Sequence, residues 1–179
     1  QGIENFVIDN ELDLNRILNT IKNTTTKINI SLRMKFKEHR IGSGRYFVYG
    51  MSSGKVNKII SQLKNNKNIN KIGIHIHRKS QNTSEWNIKQ EIQDSINKEN
   101  LNTISFLNLG GGLPVKYRSH TTDVLPYIFS KIKETQEFLS QNNIKTYIEP
   151  GRFLAAPPIK LETTIMQQYD DKIIINTTI

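Results

Sequence analysis

Two of the chain's four histidines stand two residues apart in GIHIHRKSQ, residues 73–81. Residues two apart on a strand share a face, so His75 and His77 point one way while Ile74 and Ile76 point the other. Imidazoles paired like this can bind a metal, carry protons or wall a ligand site. For His75 a hydrogen-bonded pair that merely fills space is the plain alternative. A metal site would have to be completed by His39, His120 or carboxylates, because the chain has no cysteine. In LNLGGGLP, Gly110, Gly111 and Gly112 directly follow a strand pattern. Consecutive glycines let backbone N–H groups approach an anion, although such a run is also an ordinary turn. The dinucleotide fingerprint G-x-G-x-x-G fails, since Val115 stands where its last glycine belongs. In YIEPGRF, Tyr147 and Glu149 share the face opposite Ile148. Arg152 follows in a Pro-Gly turn, placed to clamp a phosphate or to pair with Glu149.

All three motifs sit at the ends of strand-like segments, and helical patterns separate those segments. NFVID precedes Leu14, Ile17, Leu18 and Ile21 at helical spacing. INISLRMKF, with Ile28, Ile30, Leu32 and Met34 on one face, precedes Val56, Ile59, Ile60 and Leu63. KIGIHIH precedes Ile88, Ile92 and Ile96. TISFLNLGGG precedes a helix expected to be capped by Asp123, with Pro126 in its first turn. KTYIEPG closes the series. Strand and helix in alternation imply right-handed crossovers and a parallel sheet, the α/β class. About five such strands cannot close an eight-stranded barrel. The pattern therefore predicts a section of a larger barrel, with a small open sheet as the alternative. Beyond Pro158 the rhythm changes to two β strands, IKLETTIMQQ and KIIINTTI, joined by YDD.

Composition narrows the function classes. The 179 residues carry a formal charge of +9, but the lysines are scattered among asparagines, as in SQLKNNKNINK. No helix-turn-helix, zinc-finger or aromatic RNA-binding motif accompanies them, so they read as a solvated surface without a nucleic-acid partner. No apolar run reaches about 18 residues and no signal-peptide pattern opens the chain, so a soluble cytoplasmic protein without membrane attachment is expected.

Taken together and in this order, the motifs resemble the barrel-type (fold type III) pyridoxal 5′-phosphate-dependent decarboxylases of basic amino acids. GIHIHRKSQ is similar to that family's G-x-H-x-H-x-G-S-Q element, LNLGGGLPVKY to its glycine-rich element and IEPGRFLAAP to its E-P-G-R element. NFVIDN and SLRMKF sit where the family has its preceding strands. The resemblance implies a partial (β/α)8 TIM barrel that binds pyridoxal phosphate over residues 1–158, about the second half of the barrel. Residues 159–179 would be the first strands of an antiparallel C-terminal β domain. It also implies roles: His77 against the pyridine ring; Ser80, Gly110, Gly111, Gly112, Gly151 and Arg152 around the phosphate; Arg33 near the cofactor; Glu149 on the pyridine nitrogen. A carboxylate suits that last place, because an anion beside the nitrogen keeps it protonated and able to accept electrons released at decarboxylation. Barrel-type racemases resemble this fold but place an arginine there, so Glu149 favours a decarboxylase. The implied substrates are ornithine, diaminopimelate or arginine, leading to amines, polyamines or lysine, in a homodimeric enzyme.

Two departures stand out. Lys79 replaces the family's glycine before the serine. It either strains a glycine-only backbone angle, or Lys79 or Arg78 adds a phosphate contact. The family's Schiff-base lysine lies on an early barrel strand and matches no lysine here. It is expected upstream of Gln1, with further active-site residues beyond Ile179, so this chain alone is expected to be inactive. Two alternatives stay open: a barrel metal hydrolase using His75, His77 and Glu149, and a decarboxylase-like binding or regulatory protein without catalysis.

Overall fold

Five strands run parallel and lie side by side in the order in which the chain makes them. The computed structural model describes residues 2–36, 49–116, 123–156 and 160–177. His39, His120 and the boundary expected at residues 158/159 fall outside the described residues. Along the chain the elements are β1 (Asn5–Ile8), α1 (Glu11–Ile21), β2 (Ile28–Lys35), a two-residue β3 (Met51–Ser52), α2 (Ser53–Leu63), β4 (Ile69–His75), α3 (Ile88–Ser95), α4 (Lys98–Leu101), β5 (Phe106–Asn108), α5 (Leu125–Gln141), β6 (Lys145–Tyr147), α6 (Gly151–Ala155), β7 (Ile165–Tyr169) and β8 (Lys172–Ile175). The main sheet has the order β1-β2-β4-β5-β6, every neighbour parallel, with β3 paired to the end of β2. A doubly wound sheet reverses its order at a switch point. This one never reverses, which is how the wall of a (β/α)8 barrel is wound.

The helices form where the apolar spacing predicts them. Asn10 caps α1, its side-chain oxygen accepting from the Asp13 N–H at 3.0 Å, and Glu11 and Asp13 place negative charge at the helix's positive end. In α2 the predicted stripe Val56, Ile59, Ile60 and Leu63 is wholly buried. The cap of α5 falls on Val124, not Asp123, and Pro126 still occupies the first turn. The first-turn N–H groups lack intrahelical partners, so a proline there forfeits nothing, and the helix can start one residue later than predicted.

One face of the sheet supplies the core. Leu32, Ile74 and Leu107 are register partners across β2, β4 and β5, and each is completely buried. Burying an aliphatic side chain of this size stabilises the fold by about 1.5–3 kcal/mol. The opposite face carries Gly73, and a side chain there would run into the Phe106 ring beside it. The two-strand segment expected beyond Pro158 forms a separate antiparallel sheet, β7–β8, turned at Asp170 in the left-handed region with φ of 51°. Among the described residues no helix is long and apolar enough to cross a membrane.

Candidate functional site

Sheet register decides which side chains meet. Arg33 on β2, His75 on β4, Asn108 on β5 and Tyr147 on β6 are successive register partners, forming one row on the face opposite the core. Two residues further along three of these strands come His77, Gly110 and Glu149. The Glu149 N–H donates to the Gly110 carbonyl at 2.8 Å, which carries the pairing past the end of β6. His75, Asn108 and Tyr147 end their strands, Arg33 lies two residues before the end of β2, and His77, Gly110 and Glu149 lie just beyond the carboxyl ends.

The two rows together build a cluster of complementary groups. Glu149 Oε2 lies 3.3 Å from His75 Nε2 and 3.7 Å from His77 Nδ1. Its other oxygen accepts from the Asn108 side-chain amide at 2.8 Å. Burial pushes the Glu149 carboxyl up, but the Asn108 amide and the His75 ring outweigh it, and the net shift is downward, so Glu149 is ionised at neutral pH. His75 is pulled down by burial, against the opposing pull of Glu149, and is neutral there. An ionised carboxylate only accepts, so His75 carries its proton on Nε2 and donates it to Glu149. His75 is thus a packed imidazole, but one bonded to the site carboxylate. His77 is more open, 42% exposed, and lies 6.0 Å from the His75 ring at an interplanar angle of 30°.

Beside the carboxylate lies a cavity of about 310 Å³, lined by His77, Ser80, Gly111, Gly112, Glu149, Gly151 and Arg152 among others. Seven of the nine residues singled out from sequence are therefore brought together. Gly110 sits behind them. Its φ is +66°, and a Cβ there would collide with the Ile76 carbonyl, so only glycine lets β4, β5 and β6 close up at this level. Gly112, at φ +100°, would place a Cβ 2.8 Å from the Lys79 carbonyl. Arg33 does not line the cavity; it pairs with Asp9 at 3.5 Å and lies 5.4 Å from the centre of the Tyr49 ring. Among the described residues, neither the Ser80 hydroxyl nor the Arg152 guanidinium has a hydrogen-bond or ion-pair partner. Two uncommitted donors and a glycine-lined wall fit a phosphate. The adjoining imidazole and carboxylate fit a cationic aromatic ring. The residues thus suit pyridoxal phosphate.

The Lys79 departure resolves without strain. The left-handed residue of this loop is Gln81, φ 56°, and Lys79 is not among the positive-φ residues. Lys79 Nζ pairs with Glu85 at 3.2 Å, and Arg78 is buried against Glu91 at 2.7 Å, so neither makes up the cavity wall. Sequence reasoning missed Asn108 and Gln81. The Gln81 amide exchanges hydrogen bonds with the Val115 backbone, donating at 2.9 Å and accepting at 2.8 Å, and so ties the serine loop to the glycine loop. The Asn108 signal is present in the sequence: in LNLGG it alternates with Leu107 and Leu109, a polar residue on the face of His75.

A section of parallel barrel wall, with an anion cup and an imidazole–carboxylate cluster at its strand ends, defines a cofactor-binding barrel domain. The model of the family "Pyridoxal-dependent decarboxylase, pyridoxal binding domain" matches residues 1–156, and the chain belongs to that family. Solved structures share the fold. Diaminopimelate decarboxylase from Helicobacter pylori, complexed with L-lysine, superposes with a TM-score of 0.72 at 17% identity, covering 96% of this chain and 46% of its own. Lysine/ornithine decarboxylase from Vibrio vulnificus, complexed with putrescine, gives 0.63 at 20% identity over 94% of this chain and 44% of its own. Lysine decarboxylase from Selenomonas ruminantium gives 0.67 at 14% identity over 96% and 45%. The chain thus spans less than half the length of these relatives.

Proposed function

We propose that this domain holds pyridoxal phosphate in an enzyme that decarboxylates a basic amino acid of the ornithine, diaminopimelate or arginine class. One observation carries the reading: an ionised Glu149, fixed by Asn108 and His75, borders the same cavity as His77, Ser80, the glycine run and Arg152. When bound, the cofactor supplies an acceptor for the electrons left as CO2 departs. Glu149 would hold a proton on the ring nitrogen, its low pKa keeping it anionic for that task. His77 would lie against the ring. Ser80, Gly111, Gly112, Gly151 and Arg152 would bind the phosphate, while Gly110 shapes the loop and Arg33, one row below, acts from beside His75. The lysine that links to the cofactor would belong to a segment preceding Gln1, and residues 159–179 would open a C-terminal β domain. A homodimer in the cytoplasm, with catalysis only in the full-length protein, completes the reading.

The test is Glu149→Ala in the full-length protein, assayed with ornithine, diaminopimelate, arginine and carboxylated polyamines. The variant should keep the visible absorbance of bound cofactor and lose most turnover on whichever substrate the wild type uses. Unchanged turnover would sink the role given to Glu149. A second reading has its own support: His75, His77 and Glu149 offer ligand atoms within 4.8 Å of one another, enough for a metal ion. Metal analysis of the purified protein separates the two, since a bound divalent ion without cofactor absorbance favours the hydrolase.

A further inference from the structure

Arg78 follows His77 three residues past the end of β4; it does not line the cavity, and its side chain is fully buried. A buried guanidinium is costly unless its donors are met. Here Nη2 donates to Glu91 at 2.7 Å, Nε donates to the Glu85 carbonyl, and the cation lies 5.6 Å from the Trp86 ring centre and 5.9 Å from that of Phe36. Among the described residues Nη1 is buried with no hydrogen-bond partner. The contacts on Glu85 and Trp86 fold residues 78–86 back on themselves. Within that fold Asn82, completely buried, donates from its amide to the Glu85 carbonyl at 3.3 Å and accepts the Trp86 indole N–H on its backbone carbonyl at 3.0 Å. Asn82 in turn sends its backbone N–H to the Gly112 carbonyl at 2.9 Å.

We infer that Arg78 is a positioning residue for the phosphate cup: its buried fork pins the loop that carries Ser80, and through Asn82 and Gln81 pins the glycine loop opposite. The inference rests on the reading that this cup takes the cofactor's phosphate. Ser80 lies between two anchors, Arg78 on one side and the Gln81–Val115 clamp on the other, and among the described residues it makes no hydrogen bond to Glu149 or the imidazoles. His77, the chain neighbour of Arg78, also lies 3.7 Å from Glu149 at the ring end, so loosening Arg78 acts chiefly on the phosphate end. An apolar residue could fill the same volume, and buried ion pairs are often replaceable that way without loss of stability. It could not hold Glu91 and the Glu85 carbonyl in one fixed geometry, which is what a planar guanidinium does.

The experiment compares affinities for pyridoxal phosphate and for pyridoxal, which lacks the phosphate, in the full-length protein. The wild type should prefer the phosphorylated form strongly. In Arg78→Met that preference should narrow by about tenfold or more, the loss falling on pyridoxal phosphate while pyridoxal changes little. Because Arg78→Met takes the 2.7 Å ion pair away from the buried Glu91 carboxylate, Arg78→Met/Glu91→Leu is the companion; it should recover thermal stability and keep the narrowed preference. A double variant with wild-type stability and wild-type preference overturns the inference, as does an equal loss of both ligands. A wild type that binds the two ligands equally, or neither, overturns the phosphate-cup reading itself.

Discussion

Replacing Asn108 by leucine keeps roughly the volume of the side chain and removes two hydrogen bonds. One is the 2.8 Å donation to Glu149; the other is the acceptor that takes the Gly110 N–H at 2.9 Å. A hydrogen bond to a charged group contributes about 1.5–3 kcal/mol, but Glu149 is 46% exposed, so water recovers much of that. Gly110 is buried, and its unpaired N–H costs about 1–3 kcal/mol. The expected loss near neutral pH is therefore about 2–3 kcal/mol, set mainly by the glycine. The two parts differ in pH dependence. Glu149 has a depressed folded-state pKa, so its contribution is complete above the unfolded carboxyl value of about 4.3 and disappears as pH falls through the folded value. Without the Asn108 donor the depression is smaller, so the wild type should exceed the variant by most at neutral pH and by less in acid. His75, also depressed, makes both proteins lose stability as pH falls below about 6.5, and that part cancels in the difference to first order. Urea unfolding of the two full-length proteins across a pH series measures the gap. A gap that stays constant from neutral to acid pH would refute the coupling of Asn108 to the carboxylate.

Further outcomes follow from single positions. Gly112→Ala forces a side chain onto φ +100° with its Cβ 2.8 Å from the Lys79 carbonyl, and should cost about 1–3 kcal/mol together with most pyridoxal phosphate affinity, read by thermal melts and cofactor titration. Ile74→Ala, on the opposite face of the same strand and completely buried, should cost about 2–5 kcal/mol yet leave the ratio of pyridoxal phosphate to pyridoxal affinity unchanged in the folded fraction. Arg152→Met removes a cation from the cavity wall and should weaken pyridoxal phosphate while sparing pyridoxal, checked by the same paired titrations.

Much of the site is legible in the sequence because strand alternation is local. The contrast between Ile74 or Ile76 and His75 or His77 assigns faces without any knowledge of the neighbours, and GGG and EPGR announce their backbone needs in their composition. Arg78 lies past the end of β4, where that rule no longer applies, and its closeness to Ser80 in the chain suggests a phosphate contact. The structure gives it to Glu91 instead. Lys79 illustrates a different gap. A motif fixes which residue types recur, but the left-handed angle falls on Gln81, and only the folded loop decides that. Pairing across distance cannot be read from the chain alone. Asn108 meets Glu149 over 41 residues and Gln81 meets Val115 over 34, and each pair depends on the sheet register that brings strand ends together. The expected Asp123 cap is displaced for a local reason: Pro126 lies in the first turn, whose N–H groups need no intrahelical partner, whether it is the second or the third helix residue, so the start can slip by one residue.

For His77, Glu149 and the glycine run to hold pyridoxal phosphate in the strand-end cavity, as proposed, the protein must take up that cofactor stoichiometrically. Titrating the full-length protein with pyridoxal phosphate, and following its visible absorbance, measures this without any further assumption. Saturable binding of one cofactor per chain is expected, weakened when Gly112 or Arg152 is replaced. No saturable binding, or binding indifferent to both replacements, would contradict it.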